Sequence, residues 1–390
     1  MGNCHSILEE QLSEDPPPLD IDDAALLYQH ANLSDLMHAA SVRRHKQVSG
    51  NEVTYLVDRN INYSNICTIN CQFCSFQRLP GHQESYIQTI DQISQRVTEL
   101  EEIGGSRILM QGGVNPELPL QWYLELLSEL RHRHPSISLD CFSPIEIEGI
   151  AQVCDISTIE VLRELSEAGL HGLPGGGAEM LVDDIRMDVS PKKGSADNWL
   201  RVMGEAHTLN LTTSATNVYG FGESIRQRIE HMFRIRQLQE HSICRGLTGF
   251  SSFVSWPVML ENTSLGLRNG GRNMIELGTG SVEYLRHVAV SRLFFHNIDH
   301  IQASWTTMGL DIAEIALLAG ADDAGSTMME ENVVSSAGIT KTQATEIELR
   351  KIITNAGFIP VKRDSEYNIL ETPPKVVDGD SAWTIPNSIT

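Results

Sequence analysis

The feature that most constrains this chain is an alternation that starts after "SGNEV" and recurs eight times. Short apolar or Gly-rich pieces, "VTYLVDRNINY", "SRILMQGG", "SISLDCFS", "GLHGLPGG", "TTSATNVYG", "GFSSFVSW", "HIQASW" and "LLAGADDAGST", have the character of strands. Helix-length runs lie between most of them, at 90–103, 120–134, 157–168, 198–209, 224–241, 282–297 and 311–318. Such alternation builds right-handed βαβ units and a parallel sheet. About eight units over roughly 280 residues predict an α/β chain folded as a (β/α)8 TIM-type barrel. A doubly wound open sheet is the alternative, but "GGGAE" lacks the Gly-x-Gly-x-x-Gly spacing of a dinucleotide turn.

A barrel gathers the segments that follow its strands at one face, where catalytic groups of such folds sit. Here they are the Cys67–Cys74 loop, "QGGVNPE", "FSPIEIE", "PGGGAE", "NVYGFGE", "VSWPVMLENT", "SWTTMG" and "ADDAGSTMMEEN". The barrel is expected over residues 50–371. Residues 1–49 read as a flexible, Pro-rich acidic lead followed by a helical cap, "DDAALLYQH" and "SDLMHAASVRRHK", the second opened by Ser34 as N-cap. Residues 372–390 lose periodicity and read as a peripheral tail.

Composition narrows the partners. A net charge of −22 repels a phosphate backbone, so no nucleic-acid partner is expected. No 18-residue apolar run is available to span a bilayer, and the opening "MGNCHSILEE" has no secretory pattern, which reads as cytoplasmic. Met1, Gly2 and Ser6 meet a loose myristoylation pattern with Cys4 as a second acylation site, but an exposed, unmodified terminus is the preferred reading.

Seven cysteines, unevenly spaced, favour ligation or burial over disulfides. Cys67, Cys71 and Cys74 crowd one loop, "NICTINCQFCSFQR". Structural zinc needs four ligands, and the fourth would have to be a distant residue such as Cys141. A Cys71–Cys74 redox pair leaves Cys67 without a role. Three thiolates after a first barrel strand suit an iron–sulfur cube with one iron left open to a second molecule.

That loop resembles the CxxxCxΦC signature of radical S-adenosylmethionine (SAM) enzymes, met here by Cys67, Cys71, Phe73 and Cys74. Over about residues 50–367, "YLVDRNINYSNICTINCQFCSFQR", "MQGGVNPELP", "AGLHGLPGGGAEML", "TGFSSFVSWPVMLENT", "QASWTTMG", "GADDAGSTMMEENVVSSAG" and "RDSEY" resemble the dehypoxanthine futalosine cyclase family of menaquinone biosynthesis. Sibling families are the aminodeoxyfutalosine synthases and the halves of FO synthase.

The resemblance implies a [4Fe–4S] cluster whose open iron binds S-adenosylmethionine. A low-potential donor such as flavodoxin or ferredoxin supplies the electron. The resulting adenosyl radical takes the ribose C4′ hydrogen of dehypoxanthine futalosine, and the carbon radical closes onto the benzoate ring. Position on the barrel suggests roles for individual residues. Cys67, Cys71 and Cys74 are the iron ligands, and Gly112 and Gly113 let backbone approach the methionyl ammonium. Phe73 lies against adenine, Ser143 is a further cofactor contact, and Glu179 meets the SAM amino group or ribose. Asp322 and Glu331, with Glu179, are the catalytic carboxylates, and Asp323 and Glu330 lie beside the first two. Arg78 and Arg292 are candidates for the benzoate by chemistry alone, and His231, inside a helix, is expected to have a surface or packing role. One departure stands out: the family is expected to read close to "HAFSPPEI" where this chain reads "DCFSPIEI", so Asp140 stands in place of a histidine. Two readings of other kinds stay open, a zinc-stabilised binding protein and a membrane-tethered scaffold. Oligomeric state is not legible.

Overall fold

The computed structural model describes residues 2–48, 50–270 and 279–371. Its strands are β1 (Glu52–Leu56), β2 (Asp58–Ile61), β3 (Arg107–Met110), β4 (Ser138–Cys141), β5 (Gly172–Leu173), β6 (Thr212–Tyr219), β7 (Phe250–Pro257), β8 (His300–Gln302), β9 (Asp323–Ser326), β10 (Ile359–Arg363) and β11 (Ile369–Glu371). β1 and β2 are one strand interrupted at Val57. From β2 each strand pairs in parallel with the next through β9. β9 returns to β1 through Thr54↔Asp323 and Leu56↔Ser326, which closes an eight-position barrel as the alternation requires.

Local chemistry fixes the helices between the strands. Helix Thr158–Ala168 opens on a Ser157/Glu160 capping box and stops at Gly169, whose φ of 118° a side chain would resist. Its buried stripe, Val161, Leu162 and Leu165, packs outside the sheet. Helices Ile90–Glu102, Ile225–Cys244 and Glu346–Asn355 open on the same box, at Thr89/Gln92, Ser224/Gln227 and Thr345/Glu348. Among the described residues no helix is long and apolar enough to cross a membrane.

The N-terminal segment departs from expectation. Residues expected as a flexible lead include a helix, Gly2–Leu12, that buries Cys4, Ile7 and Leu8. These three apolar side chains at helical spacing give the segment a face to dock, which the acidic and proline content of the stretch obscured. The Cys4 thiol points at the Leu26 carbonyl, 3.8 Å away, instead of lying free for acylation. Asn32, not Ser34, occupies the N-cap of helix Leu33–Gln47. Residues 372–390, expected as a tail, lie outside the described residues.

β10 lies parallel to β1, on the flank of that strand away from β9, and β11 folds back against it. The turn beyond β10 reaches into the N-terminal mouth of the barrel. Arg363 Nε meets Asp323 Oδ2 at 2.5 Å, and Tyr367 stacks on His300 at 3.7 Å and 2°. The Ser365 hydroxyl donates to Asp140 Oδ2. The C-terminal segment thereby becomes the floor of the barrel.

Candidate active site

β2 runs into the cysteine loop, which is closed at its base by paired backbone bonds. Cys67 N donates to Arg78 O at 2.9 Å, and Arg78 N donates to Asn65 O at 2.7 Å. The Arg78 guanidinium turns inward to the carbonyls of Ser75, Phe76 and Gln77, with Glu84 on its Nε. Arg78 is therefore the peg of this loop, and a benzoate would have to displace three carbonyls to use it. Asn70 takes a φ of 57° inside the loop.

Cys67, Cys71 and Cys74 are half-buried free thiols. With Gly112, Gly113, Ser143, Glu146 and Lys193 they line a recess of about 160 Å³. Burial pushes the Cys67 thiol up and the Cys74 thiol to about 11, so as free thiols they are protonated and a bound metal would release the protons. The glycines after β3 keep the recess open. A Cβ on Gly113 would lie 2.8 Å from Cys67 Cβ, and one on Gly112 would lie 2.4 Å from the Tyr63 ring. Glu146, a carboxylate not anticipated from the sequence, braces this wall. It accepts from Gly112 N at 2.9 Å, Tyr63 OH at 2.7 Å and Ser143 OH at 2.7 Å. The pattern S-P-I-E at 143–146, a Ser N-cap with Pro at N1, signalled the cap but not its reach to Gly112.

Glu179, at a φ of 40°, faces the same space. Its Oε1 pairs with Lys193 Nζ at 2.8 Å, and its buried Oε2 has no hydrogen-bond partner. Lys193 lies 5.2 Å over the Phe73 ring, which itself tilts against Phe221 at 5.2 Å. Burial opposes the lysine charge, but Cys71 and Glu179 outweigh it and hold the ammonium above its ordinary value. Sequence reasoning missed Lys193 because "SPKKGSADN" carries no strand or motif to place it.

The recess opens into a larger cavity of about 380 Å³ running down the barrel axis. Alternate residues of the strands line it: Arg107, Leu109 and Gln111 of β3 and the residue after it, Thr212, Ser214 and Thr216 of β6, and Ser252, Val254 and Trp256 of β7. Bulky branched side chains usually fill a barrel of this size. Hydroxyl side chains and Gly175 and Gly176 leave this one hollow. Arg363, Ser365 and Tyr367 line its floor.

Cys67, Cys71, Cys74, Phe73, Gly112, Gly113, Ser143 and Glu179 thus share one connected space. The remaining acids do not. Asp322 precedes β9, at the strand's N-terminal end, and is 1% exposed. It is held by Arg292, by His300 Nδ1 at 2.6 Å and by Ile301 N at 2.7 Å. Burial pushes its carboxyl up, but Arg292 and His300 outweigh that and hold it below the usual carboxylate range. This is a structural ion pair that occupies Arg292 as well, so neither lines the cavity. Glu331 follows β9 but turns back to accept from Val333, Val334 and Ser335 N–H groups at 2.9–3.0 Å. Asp323 belongs to Arg363 and Glu330 to Arg59. Asp322 and Glu331, expected as catalytic carboxylates, thus line neither the recess nor the cavity. His231 packs as expected, accepting from Leu181 N at 2.9 Å, and burial lowers it to about 3.

The donor set decides which metal group fits. Among the described residues no group of three His, Cys, Asp or Glu side chains is placed to hold a metal ion. Cys141 lies on the face of β4 opposite Asp140, fully buried in the apolar core. A mononuclear zinc site using Cys141 therefore does not form. A cube carries each thiolate on its own iron, and three separate half-buried thiols beside an unpartnered Glu179 oxygen fit such a cluster with an amine-bearing co-ligand.

Comparison with known proteins agrees. A model described as the radical SAM superfamily matches residues 61–235, and one described as the CofH/MqnC C-terminal region matches 247–376. The chain is 40% identical over 354 residues to a cyclic dehypoxanthine futalosine synthase of Halalkalibacterium halodurans, covering 91% of this chain and 92% of that one. It is 38% identical to a 5-amino-6-(D-ribitylamino)uracil–L-tyrosine 4-hydroxyphenyl transferase of Methanopyrus kandleri, covering 85% and 88%. In fold it resembles methylornithine synthase, with a TM-score of 0.69 at 18% identity over 92% of this chain and 97% of that one. The chain therefore belongs to the radical SAM superfamily and, within it, to the family of the cyclic dehypoxanthine futalosine synthases.

Proposed function

We propose that this enzyme converts dehypoxanthine futalosine to its cyclic form. The observation that carries the reading is a hollow, floored barrel opening directly onto the three-cysteine recess, in a chain 40% identical to a synthase of that name. The [4Fe–4S] cluster and S-adenosylmethionine of this superfamily, when bound, supply a one-electron cleavage that generates the agent of hydrogen abstraction.

The protein's own residues have three tasks. Cys67, Cys71 and Cys74 hold the iron. Glu179 Oε2 offers an acceptor to the SAM amino group, and Gly112 and Gly113 leave room beside it. Beside them, Trp256, Met259 and Met328 exclude water around the ribose C4′ carbon, while Ser214 and Thr216 offer hydrogen bonds to sugar hydroxyls. A low-potential flavodoxin or ferredoxin would deliver the electron.

The test is anaerobic reconstitution with iron and sulfide, then incubation with SAM, dithionite and dehypoxanthine futalosine. A product two hydrogens lighter than substrate, with 5′-deoxyadenosine, is expected. A second reading, tyrosine-derived transfer onto a ribitylaminouracil, is favoured by the 38% identity to the transferase. SAM cleavage only with tyrosine and that uracil would replace the first reading by the second.

A further inference from the structure

Three cations face the barrel cavity: Lys193, Arg107 and Arg363. Lys193 is committed to Glu179 at the cysteine end. Arg363 gives Nε to Asp323 and Nη1 to the Asp364 carbonyl at 2.9 Å, and its face lies 3.9 Å from the Tyr367 ring centroid. Arg107 differs. Its Nη2 meets Asp58 Oδ2 at 2.5 Å, but its Nη1 has no acceptor within hydrogen-bond distance among the described residues. The nearest acid oxygen, Asp140 Oδ2, is 3.6 Å away and already accepts from Ser365.

We infer that Arg107 Nη1 is the anchor for an aryl carboxylate, the benzoate end of the substrate. The inference rests on the functional reading above. Arg107 lies four residues before Gln111, about 13 Å along the strand and, at the usual barrel tilt of about 36°, about 11 Å deeper in the barrel. A benzoate whose ring must lie against a sugar carbon at the cysteine end points its carboxylate down this axis. The hydroxyls of Thr212 and Ser252 line the same cavity and can donate to complete the site. A carboxylate reaching Nη1 gains a charge-assisted bond in a site closed from below.

The test titrates 3-acetylbenzoate and 3-acetylbenzamide into the anaerobically reconstituted protein by calorimetry. Wild type should favour the carboxylate by about tenfold or more, the scale of one charge-assisted bond. Arg107→Gln should bind both probes alike. Asp140→Asn keeps the carbonyl that Ser365 needs and removes the competing acid, so it should raise the carboxylate preference without changing carboxamide affinity. That variant keeps the test decisive if Arg107→Gln does not fold. A wild type without preference, an Arg107→Gln protein that keeps it, or an Asp140→Asn protein that leaves it unmoved would each overturn the inference. Turnover separates this from the functional reading: conversion of dehypoxanthine futalosine by wild type with an undiminished preference in Arg107→Gln sinks the anchor alone. An Arg107-dependent preference without conversion sinks the reaction alone.

Discussion

Gly113→Ala tests whether the glycine after β3 is there for the cysteines. Gly113 has a φ of 79°, where an alanine costs about 1–2 kcal/mol. Its Cβ would also lie 2.8 Å from Cys67 Cβ, 3.2 Å from Cys67 Sγ and 3.3 Å from the Ile66 carbonyl. Relieving contacts of that kind costs about 1–3 kcal/mol, for a total of about 2–5 kcal/mol. The loop is the softer partner, because β3 is paired on both sides by β2 and β4. Cys67 should therefore swing and lose its place as an iron ligand. Gly81 provides the control: its φ is 77°, and a Cβ there would meet nothing within 4 Å. Gly81→Ala carries the dihedral cost without the contact. Iron per chain and cluster absorbance after reconstitution, with the melting temperature of each variant, make the comparison. Gly81→Ala should melt lower but load iron fully, whereas Gly113→Ala should load poorly. Equal iron in the two variants would refute the reasoning.

Three further outcomes are expected. Asp322→Asn removes one half of a fully buried ion pair, so denaturant unfolding should show a loss of about 3–5 kcal/mol, while the folded fraction keeps its turnover because this residue does not line the cavity. Burial lowers His207, which contacts Ser242 and Thr213, to about 4. Its neutral form stabilises the fold above the unfolded value near 6.5, and about 2 kcal/mol of that is lost on acidifying from pH 7 to pH 5, so His207→Gln should flatten the measured stability over that range. Thiol alkylation of the cluster-free native protein should modify exposed Cys244 first and spare buried Cys4 and Cys141 until unfolding; early labelling of Cys4 would contradict the docked N-terminal helix.

The barrel was legible because its evidence is periodic. Each of the eight strand-like pieces holds a strand, and capping boxes such as Ser224/Gln227 mark where helices begin. The cysteine loop was legible as spacing. The acids were not, because the stretch "LLAGADDAGST" does not say where within it the strand starts. "GADDAGST" put Asp322 and Asp323 near a strand, but the strand begins at Asp323, so both belong to the floor. Glu331 follows its strand yet spends its carboxylate on three backbone N–H groups, a choice made by a turn that no sequence pattern announced. Lys193 and Glu146 act on the site through long-range contacts from a loop and a helix.

The same limit explains why the floor could not be foreseen. Asp140 in place of an expected histidine looks like a loss when only β4 is considered. In the fold it receives the Ser365 hydroxyl from a segment more than two hundred residues later, and Gly172 beside it has no side chain to compete for the space. A Cβ on Gly172 would lie 2.6 Å from Asp140 Oδ1. The aspartate, the neighbouring glycine and the "RDSEY" segment therefore form one arrangement, in which a short acid is reached by a hydroxyl from below and leaves the volume above it empty. That empty volume is what separates this barrel from one packed solid with branched side chains. The C-terminal segment closes the well, and the inward Ser, Thr and Gly residues keep it open toward the cysteines.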